Sequence, residues 1–260
     1  MTTQKNNAAP IALFDSGAGG IGVLREVKKL LPSEQLTFFG DTANAPYGER
    51  PVADIRRLVL YHAARLLESA KALVLACNTA TAVAVEELRR LYPRTPIIGM
   101  EPALRPATSV KESPTVLVLA TAASLHMEKF DHLEEIYAKN ATVFKIPAPN
   151  IVRLVERGLS DSPEMDAYLD TLLAPFRRDP PDAVVLGCTH FPFASAAILR
   201  ALGRNVPLFD GAKGTARELA RRLAKEGLLA PKGSVGSVTL TASDPRSLPL
   251  LASLYCETEI

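Results

Sequence analysis

Cysteine, tryptophan and the other aromatic residues are scarce in this sequence. Its 260 residues include three cysteines and no tryptophan, and aromatic residues make up 6% of the total. The cysteines are far apart, so they form neither the framework of a disulfide-rich domain nor the CxxC pairs of a zinc site. We therefore expect reduced thiols, no metal ion, and a fold stabilised by a hydrophobic core.

Long apolar runs and a strong charge of one sign are also missing. No apolar run approaches the ~20 residues that a membrane-spanning helix needs. The opening MTTQKNNAAP lacks the apolar stretch of a secretory signal, so we predict none. The net charge of +2, from 30 basic and 28 acidic residues, is too small to indicate nucleic-acid binding. We expect a cytoplasmic protein whose partner is a small molecule, with neither nucleic acid nor membrane.

Short apolar runs alternate with amphipathic stretches along the chain. This alternation predicts an α/β fold in which mainly parallel sheets are flanked by helices. One of the predicted helices covers residues 101–113, despite Pro102 and Pro106.

A weak internal repeat divides the chain into two halves. The first half opens with a strand that ends at Asp15 and Ser16, and the second with a strand that ends near Thr121 and Ser124. Each half later supplies a strand that ends in cysteine. We predict two pseudo-symmetric α/β half-domains, with the active site in the cleft between them. The predicted domains are residues 1–99 with 210–260, on the side of the first cysteine, and residues 100–209, on the side of the second.

Two segments of similar pattern carry the cysteines of greatest interest. ALVLACNTATAVA, at residues 72–84, contains Cys77, and AVVLGCTHFPFA, at residues 183–194, contains Cys188. Each pattern predicts a buried strand that stops at the cysteine and leads into a helix, the second of them opened by Pro192. A helix N-terminus favours a thiolate, and its free N–H groups can hold a carboxylate.

A single free cysteine is most often a small buried hydrophobic residue, and we interpret Cys256 as structural. The other two cysteines share a context, in which hydroxyl or amide residues such as Asn78, Thr79 and Thr189 follow the sulfur. This repetition favours catalysis. We predict that the two thiols face one small substrate from opposite sides.

Neighbouring residues supply further candidates. His190 lies two residues after Cys188, where an imidazole can relay a proton or stabilise a thiolate, although most histidines near a strand end only pack. Tyr47 and Gly48 lie in a loop at residues 41–50. This loop is either a plain turn or a lid that offers a phenol and backbone donors to a substrate.

The glycine-rich turn GAGGIG, at residues 17–22, permits a different hypothesis. It matches G-x-G-x-x-G between a strand and a helix, and Asp41 follows about twenty residues later, as in a dinucleotide-binding fingerprint. The carboxylate of Asp15, just before the turn, would repel a pyrophosphate, so we rank a nucleotide-binding oxidoreductase second. A non-catalytic binding protein on the same fold also stays open.

Five segments together resemble the bacterial glutamate racemases, of the aspartate/glutamate racemase superfamily, over nearly the whole chain. The paired CNT and CTH motifs in this order are highly specific, and the set does not resemble a dehydrogenase. The chain differs from the family pattern in having Gly22 and Ser124 where threonine is usual. The segments are FDSGAGGIGVL (14–24), GDTANAPYGER (40–50), ACNTATA (76–82), EPALRPA (101–107) and LGCTHFP (186–192).

The resemblance implies a cofactor-independent enzyme that interconverts L- and D-glutamate and supplies D-glutamate for peptidoglycan. An aspartate racemase of the same superfamily is the alternative, and a homodimer is compatible with either. In the family, the cysteine that corresponds to Cys77 removes the α-proton of the D-enantiomer. The cysteine that corresponds to Cys188 removes the α-proton of the L-enantiomer.

The resemblance also implies roles for the surrounding side chains. Asp15 corresponds to the carboxylate that assists the first thiol, and His190 to the histidine that assists the second. Glu156 corresponds to a glutamate behind that histidine. The implied substrate-binding positions are Asp15, Ser16, Tyr47, Gly48, Asn78, Thr79, Thr121, Thr189 and His190.

Overall fold

The apolar runs of the sequence form two parallel β-sheets. The computed structural model describes residues 6–125 and 128–256. The chain divides into two compact units, Met1–Met100 with Ala212–Ile260, and Glu101–Gly211. Each unit contains one sheet with its own helices, so the predicted α/β class with mainly parallel sheets is confirmed.

The described residues form nine strands and eleven α-helices. The strands are β1 (Ile11–Asp15), β2 (Leu36–Gly40), β3 (Ala72–Leu75), β4 (Ile97–Gly99), β5 (Thr115–Ala120), β6 (Thr142–Pro147), β7 (Ala183–Leu186), β8 (Leu208–Phe209) and β9 (Val238–Ala242). The helices are α1 (Ile21–Leu30), α2 (Val52–Leu67), α3 (Asn78–Leu91), α4 (Leu104–Ala107), α5 (Ala122–Leu125), α6 (Glu128–Tyr137), α7 (Pro149–Glu156), α8 (Pro163–Leu172), α9 (Ser195–Leu202), α10 (Ala212–Lys225) and α11 (Leu248–Cys256).

Both sheets reverse their strand order at the corresponding place. The first has the order β4-β3-β1-β2-β9 and the second has the order β6-β5-β7-β8, with every neighbouring pair parallel. The chain passes from β1 to β2 on one side and then to β3 on the other, and it repeats this path from β5 to β6 and β7. Ligands of open α/β sheets bind at such a switch point, beyond the carboxyl ends of the strands.

The strands at the two switch points are buried. Every residue of β1, β3 and β7 is buried, and so is all of β5 except Thr115. Strands that helices cover on both faces are near-continuous apolar runs, which explains why their sequences do not alternate. The edge strands β6 and β9 are more exposed.

The helix predicted over residues 101–113 is wrong in its length, because only α4 is helical there. Pro102 disfavours a helical conformation at the residue before it, and Pro106 has no N–H group to donate. Ser113 then adopts a positive φ of 52°, which a helix does not allow. The two prolines therefore prevent the helix from beginning at residue 101, and the positive φ excludes Ser113 from it.

A glycine brings the start of α1 close to the first sheet. A Cβ atom added to Gly20 would lie 2.7 Å from the Cβ of Asp15, 2.9 Å from the Phe38 ring and 3.0 Å from the Cβ of Ala76. The φ of Gly20 is −64°, which any residue adopts, so the constraint is space and not backbone conformation. This part of the glycine-rich turn therefore serves the packing of helix on sheet.

Gly20→Ala and Gly214→Ala form a matched pair that tests this packing. We expect Gly20→Ala to lower the free energy of unfolding by about 1–3 kcal/mol, because the added methyl group overpacks the site. Gly214 lies in α10, with nothing within 4 Å of an added Cβ. Gly214→Ala should therefore raise the free energy of unfolding by up to about 1 kcal/mol. Urea denaturation measures both, and equal effects would contradict a steric role for Gly20.

Candidate active site

The carboxyl ends of β1 and β3 bring the first cysteine next to a hydroxyl group. Just after β3, Ala76 N donates to Phe14 O at 2.8 Å, so the two segments stay side by side beyond the end of β3. The Oγ atom of Ser16 then lies 3.4 Å from the Sγ atom of Cys77, and either atom can donate. The family resemblance implies a substrate-binding role for Ser16, and it does not predict this contact with the thiol.

Cys77 lies at the start of a helix, as its sequence context predicts. It is the N-cap residue of α3, and its Sγ accepts a hydrogen bond from Ala80 N at 3.4 Å. One of the free N–H groups of the first helical turn is thereby directed at the sulfur. The positive end of the helix dipole lies beside the same atom.

Asp15 is fully buried at the end of β1. Its Oδ1 accepts a hydrogen bond from Gly17 N at 2.8 Å, which fixes the start of the glycine-rich turn. A carboxylate thus occupies the place where a dinucleotide fingerprint would put a pyrophosphate. Asp41, which that fingerprint would assign to a ribose, is also fully buried and is hydrogen-bonded by Tyr47 and Asn44. The geometry therefore disfavours the nucleotide-binding hypothesis.

Asn78 and Thr79 form the first turn of α3, and both are buried. Among the residues that the structure describes, neither polar atom of the Asn78 side chain has a hydrogen-bond partner, although the residue is only 6% exposed. A buried amide without partners costs stability, and a bound ligand is an explanation of such a group. Asn78 is therefore well placed to donate to, or accept from, a substrate.

The second sheet repeats this arrangement with different side chains. Leu119 of β5 pairs with Leu186 of β7, as Phe14 pairs with Leu75 in the first sheet. Two residues beyond these pairs, β5 is followed by Thr121 and β7 by a cysteine. Both residues are buried, as is Thr189. The oxygen of Thr121 donates to the Ser124 hydroxyl at 2.9 Å and accepts from Ser124 N at 3.2 Å.

Gly187 allows β7 to approach β5 closely just before the cysteine. Its N–H group donates to Leu119 O at 2.7 Å. An added Cβ would lie 2.9 Å from the Cβ of Ala120 and 3.0 Å from Leu119 O. A larger residue at this position would therefore displace the strand end that carries the thiol.

The second thiol is linked to a carboxylate through a histidine. The Sγ atom of Cys188 lies 3.7 Å from Nδ1 of His190, and Nε2 of His190 lies 2.5 Å from Oε1 of Glu156, the last residue of α7. Burial alone lowers the pKa of His190, but the hydrogen bonds and charges of Cys188 and Glu156 raise it well above its ordinary value of 6.5. The surroundings therefore favour the protonated imidazole, which can donate from Nδ1 to the sulfur and from Nε2 to Glu156.

The helix predicted to begin at Pro192 starts later. Residues Phe191–Ala194 form a 3-10 turn, and α9 begins only at Ser195. The Ser195 hydroxyl donates to Pro192 O at 2.6 Å, which keeps this turn tight. Cys188 is thus not the cap of an α-helix, and the two thiols differ in this respect.

Tyr47 and Gly48 lie in a 3-10 turn, Tyr47–Glu49, within the loop that follows β2. The ring of Tyr47 is buried, and its hydroxyl donates to Oδ2 of Asp41 at 2.6 Å. The backbone of Tyr47 and Gly48 is then the part of the turn that can serve a ligand. Among the described residues, no group of three or more His, Cys, Asp or Glu could hold a metal ion. None of the helices in residues 6–125 and 128–256 is long and apolar enough to cross a membrane.

The known proteins that are similar to this chain in sequence and structure include racemases. The model of the family described as Asp/Glu/Hydantoin racemase matches residues 22–219. The glutamate racemase of Clostridium acetobutylicum is 41% identical over 240 residues, which are 92% of this chain and 93% of that protein.

Two solved structures show the same relationship. The glutamate racemase of Thermus thermophilus, in complex with β-chloro-D-alanine, has a TM-score of 0.79 and 37% identity, covering 97% of this chain and 95% of that one. The Escherichia coli glutamate racemase, in complex with L-glutamate and the activator UDP-MurNAc-ala, has a TM-score of 0.81 and 31% identity over 95% of each chain.

The pair of His190 and Glu156 should make stability depend on pH. A histidine with a raised pKa stabilises the folded state fully below its unfolded pKa of about 6.5, and this contribution is lost as the pH rises through the folded pKa. Glu156→Gln should lower the free energy of unfolding by about 1–3 kcal/mol near pH 6, and by less at higher pH. Urea denaturation from pH 5.5 to 9.5 measures this difference.

Glu86→Gln is the matched control, because Glu86 forms an exposed ion pair with Arg89. Its effect should stay below about 0.5 kcal/mol at every pH. A deficit of Glu156→Gln that grew with pH would contradict a protonated His190.

Proposed function

Because the chain belongs to the Asp/Glu/hydantoin racemase family, whose members are isomerases, we propose that it interconverts L- and D-glutamate with two cysteines and no cofactor. The proposed substrate follows the relatives, which are described as glutamate racemases at about 40% identity over most of their length.

The observation that carries the mechanism is the recurrence of a cysteine at the same register position of both switch points. Cys77 lies two residues after Leu75, the last residue of β3 that pairs with β1. Cys188 lies two residues after Leu186, the last residue of β7 that pairs with β5. Each thiol has its own polar neighbours, which can stabilise a thiolate by donating a hydrogen bond to it. The first has the Ser16 hydroxyl and Ala80 N, and the second has His190.

Racemisation requires a proton to leave one face of the α-carbon and another to reach the opposite face. In the proposed reaction of D-glutamate, the thiolate of Cys77 takes the α-proton, which leaves a planar carbanion. The thiol of Cys188 then gives its proton to the other face and becomes the thiolate, so that L-glutamate results. The reverse reaction exchanges these roles, and one base on one face could not do both.

The α-proton of an amino acid is far less acidic than a thiol, so the surroundings must lower the barrier. Orientation of the substrate between two reacting groups removes part of it. Donors aimed at the α-carboxylate stabilise the charge that develops there. We assign this role to Asn78, Thr79, Thr121 and Thr189, with Asp15 assisting the first thiol, and His190 with Glu156 assisting the second.

We also propose a role for the product, a location for the enzyme and its assembly. The D-glutamate product supplies peptidoglycan synthesis, as the resemblance to bacterial glutamate racemases implies. The enzyme acts in the cytoplasm, because both thiols are free and must stay reduced to exchange protons. The active species is compatible with a homodimer, which sedimentation would measure.

Cys77→Ala and Cys188→Ala should each abolish racemisation, with a loss of kcat/KM of at least about 10²–10⁴-fold. Both directions must lose the same factor, because the equilibrium constant between enantiomers is fixed. Cys256→Ala is the matched control, since this cysteine is exposed at the end of α11. The circular dichroism of glutamate, followed over time with each purified variant, measures the rates. Activity in a variant that lacks both Cys77 and Cys188 would refute the mechanism.

Heavy water distinguishes two bases from one. Early in the reaction, deuterium should appear in the product enantiomer and not in the remaining substrate, because the thiol that removes a proton is not the one that delivers one. Mass spectrometry of the separated enantiomers measures this. Equal labelling of substrate and product from the first turnover would indicate a single base.

Rates on glutamate and aspartate, measured in parallel, test the substrate. We expect turnover of glutamate to exceed that of aspartate by at least about tenfold, since one methylene group changes the position of the side-chain carboxylate. Turnover of aspartate alone would favour an aspartate racemase. Tight binding of NAD in calorimetry would instead support the oxidoreductase hypothesis.

A further inference from the structure

Asp41 is a buried carboxylate to which the proposed reaction gives no task. It follows β2 directly, and its N–H group donates to Asp15 O at 2.9 Å. It therefore continues the pairing of β2 with β1 near the first cysteine. Its side chain is fully buried. A carboxylate at such a place is costly unless the surrounding groups hold its charge.

Four polar side chains surround this carboxylate, and they come from three parts of the first unit. From the loop that follows β2, the Tyr47 hydroxyl donates to Oδ2 at 2.6 Å, and Asn44 Nδ2 lies 3.0 Å from Oδ1 and 3.1 Å from Oδ2. From α2, His62 brings Nε2 to 3.4 Å from Oδ2. The hydroxyl of Ser243, just after β9, also lowers the pKa of the carboxylate.

These contacts keep the charge on Asp41 and the proton on Tyr47. Burial alone raises the pKa of Asp41, but the hydrogen bonds from His62, Tyr47, Asn44 and Ser243 outweigh it and hold the pKa well below the ordinary carboxyl value. Burial, together with the hydrogen bond to Asp41, raises the pKa of the Tyr47 phenol far above its usual range. Near neutral pH the pair therefore consists of a carboxylate that accepts from a phenol.

The phenol has one O–H group, and it donates its hydrogen bond to Asp41. The hydroxyl of Tyr47 is therefore not the donor for a substrate, and its ring is buried 6.3 Å from the ring of Phe14. The backbone on either side is fixed as well. Arg50 N donates to Tyr47 O at 3.0 Å, and Arg50 Nε donates to Asn44 O at 2.5 Å. The side chain of Tyr47 thus anchors the backbone that it shares with Gly48.

The start of the loop is hydrogen-bonded to the residues that follow β9. Ala43 N donates to Ser243 Oγ at 2.9 Å, and Asp244 N donates to Thr42 Oγ1 at 3.3 Å. Ser243 therefore holds the loop backbone and also favours the charged form of Asp41. The loop is held at its start by these contacts and at its centre by Tyr47.

We propose that Asp41 is a positioning residue for the substrate: through Tyr47, it holds the backbone N–H groups of Tyr47 and Gly48 in the orientation that receives a substrate carboxylate. This rests on the proposed function, in which the loop binds glutamate. Asp41 does not touch the substrate. It acts on binding and leaves the proton transfers at the two thiols unchanged.

Tyr47→Phe tests the proposal, because it removes the donated hydrogen bond and keeps the ring. We expect KM for glutamate to rise about tenfold, which is the factor expected for one lost hydrogen bond to a charged group. The value of kcat should change by less than about threefold. Asp41→Ala should raise KM at least as much. The double variant should resemble Asp41→Ala alone, because both changes act through the same bond.

Tyr61→Phe is the matched control, because it removes an exposed hydroxyl that accepts a hydrogen bond from Arg65 and keeps the ring that packs on His62. It should leave KM and kcat within about twofold of the wild type. A KM that stays constant in Tyr47→Phe, whether kcat falls or the protein is merely less stable, would overturn the proposal.

Hydrogen exchange separates this proposal from a failure of the proposed function. In Tyr47→Phe, the amides of residues 42–50 should exchange about tenfold faster than in the wild type, while those of β1 and β3 keep their rates. This measurement needs no activity. If the wild type does not turn over glutamate, the proposed function fails, and the exchange rates alone decide whether Asp41 fixes the loop. Unchanged exchange in the loop would refute that role.

Discussion

The parallel register of β1 with β3, and of β5 with β7, is the constraint on which the surroundings of both cysteines depend. In the first sheet Phe14 pairs with Leu75, and Cys77, two residues further on, contacts Ser16. The second sheet repeats the spacing, again with a hydroxyl residue and a cysteine. A slip of one residue would turn each cysteine to the opposite face of its sheet. The apolar residues that bury these strands therefore also determine where the sulfur atoms point.

The two thiols share this frame but have chemically different neighbours. Cys77 caps a helix and contacts a neutral hydroxyl and a backbone N–H group, whereas Cys188 contacts an imidazole whose pKa is raised by Cys188 itself and by Glu156. Under the proposed mechanism, each turnover leaves the two sulfur atoms with exchanged protonation states. The enzyme must restore them before it can convert the same enantiomer again. His190 is a group through which the proton of Cys188 can be renewed.

The fold class and the positions of both cysteines follow from local patterns in the sequence. Short apolar runs predict strands, and a cysteine followed by small polar residues predicts a strand end. The contact of Ser16 with Cys77 could not be predicted in this way, because it joins residues 61 positions apart. The partners of Asp41 depend in the same way on β9 and α2. An acidic residue directly after a strand was visible, but its neighbours were not.

The errors of sequence interpretation lie where proline or a tight turn changes the local geometry. The helix over residues 101–113 shrinks to one turn around Pro106, and the helix after Cys188 begins only after a 3-10 turn. Periodicity does not distinguish these cases, because a 3-10 turn and an α-helix bury similar positions. The site roles themselves came from a family resemblance, since neighbouring residues alone left several alternatives open.

The position of β9 has a consequence for biosynthesis. This strand completes the first sheet beside β2, although about 200 residues of chain separate the two. On the ribosome, β2 therefore waits with an open edge while the whole second unit is translated and can fold. The loop around Asp41 receives its contacts from Ser243 and Asp244 only after the second unit has been translated. A nascent chain can therefore fold its second unit before the loop of its first unit has all of its contacts.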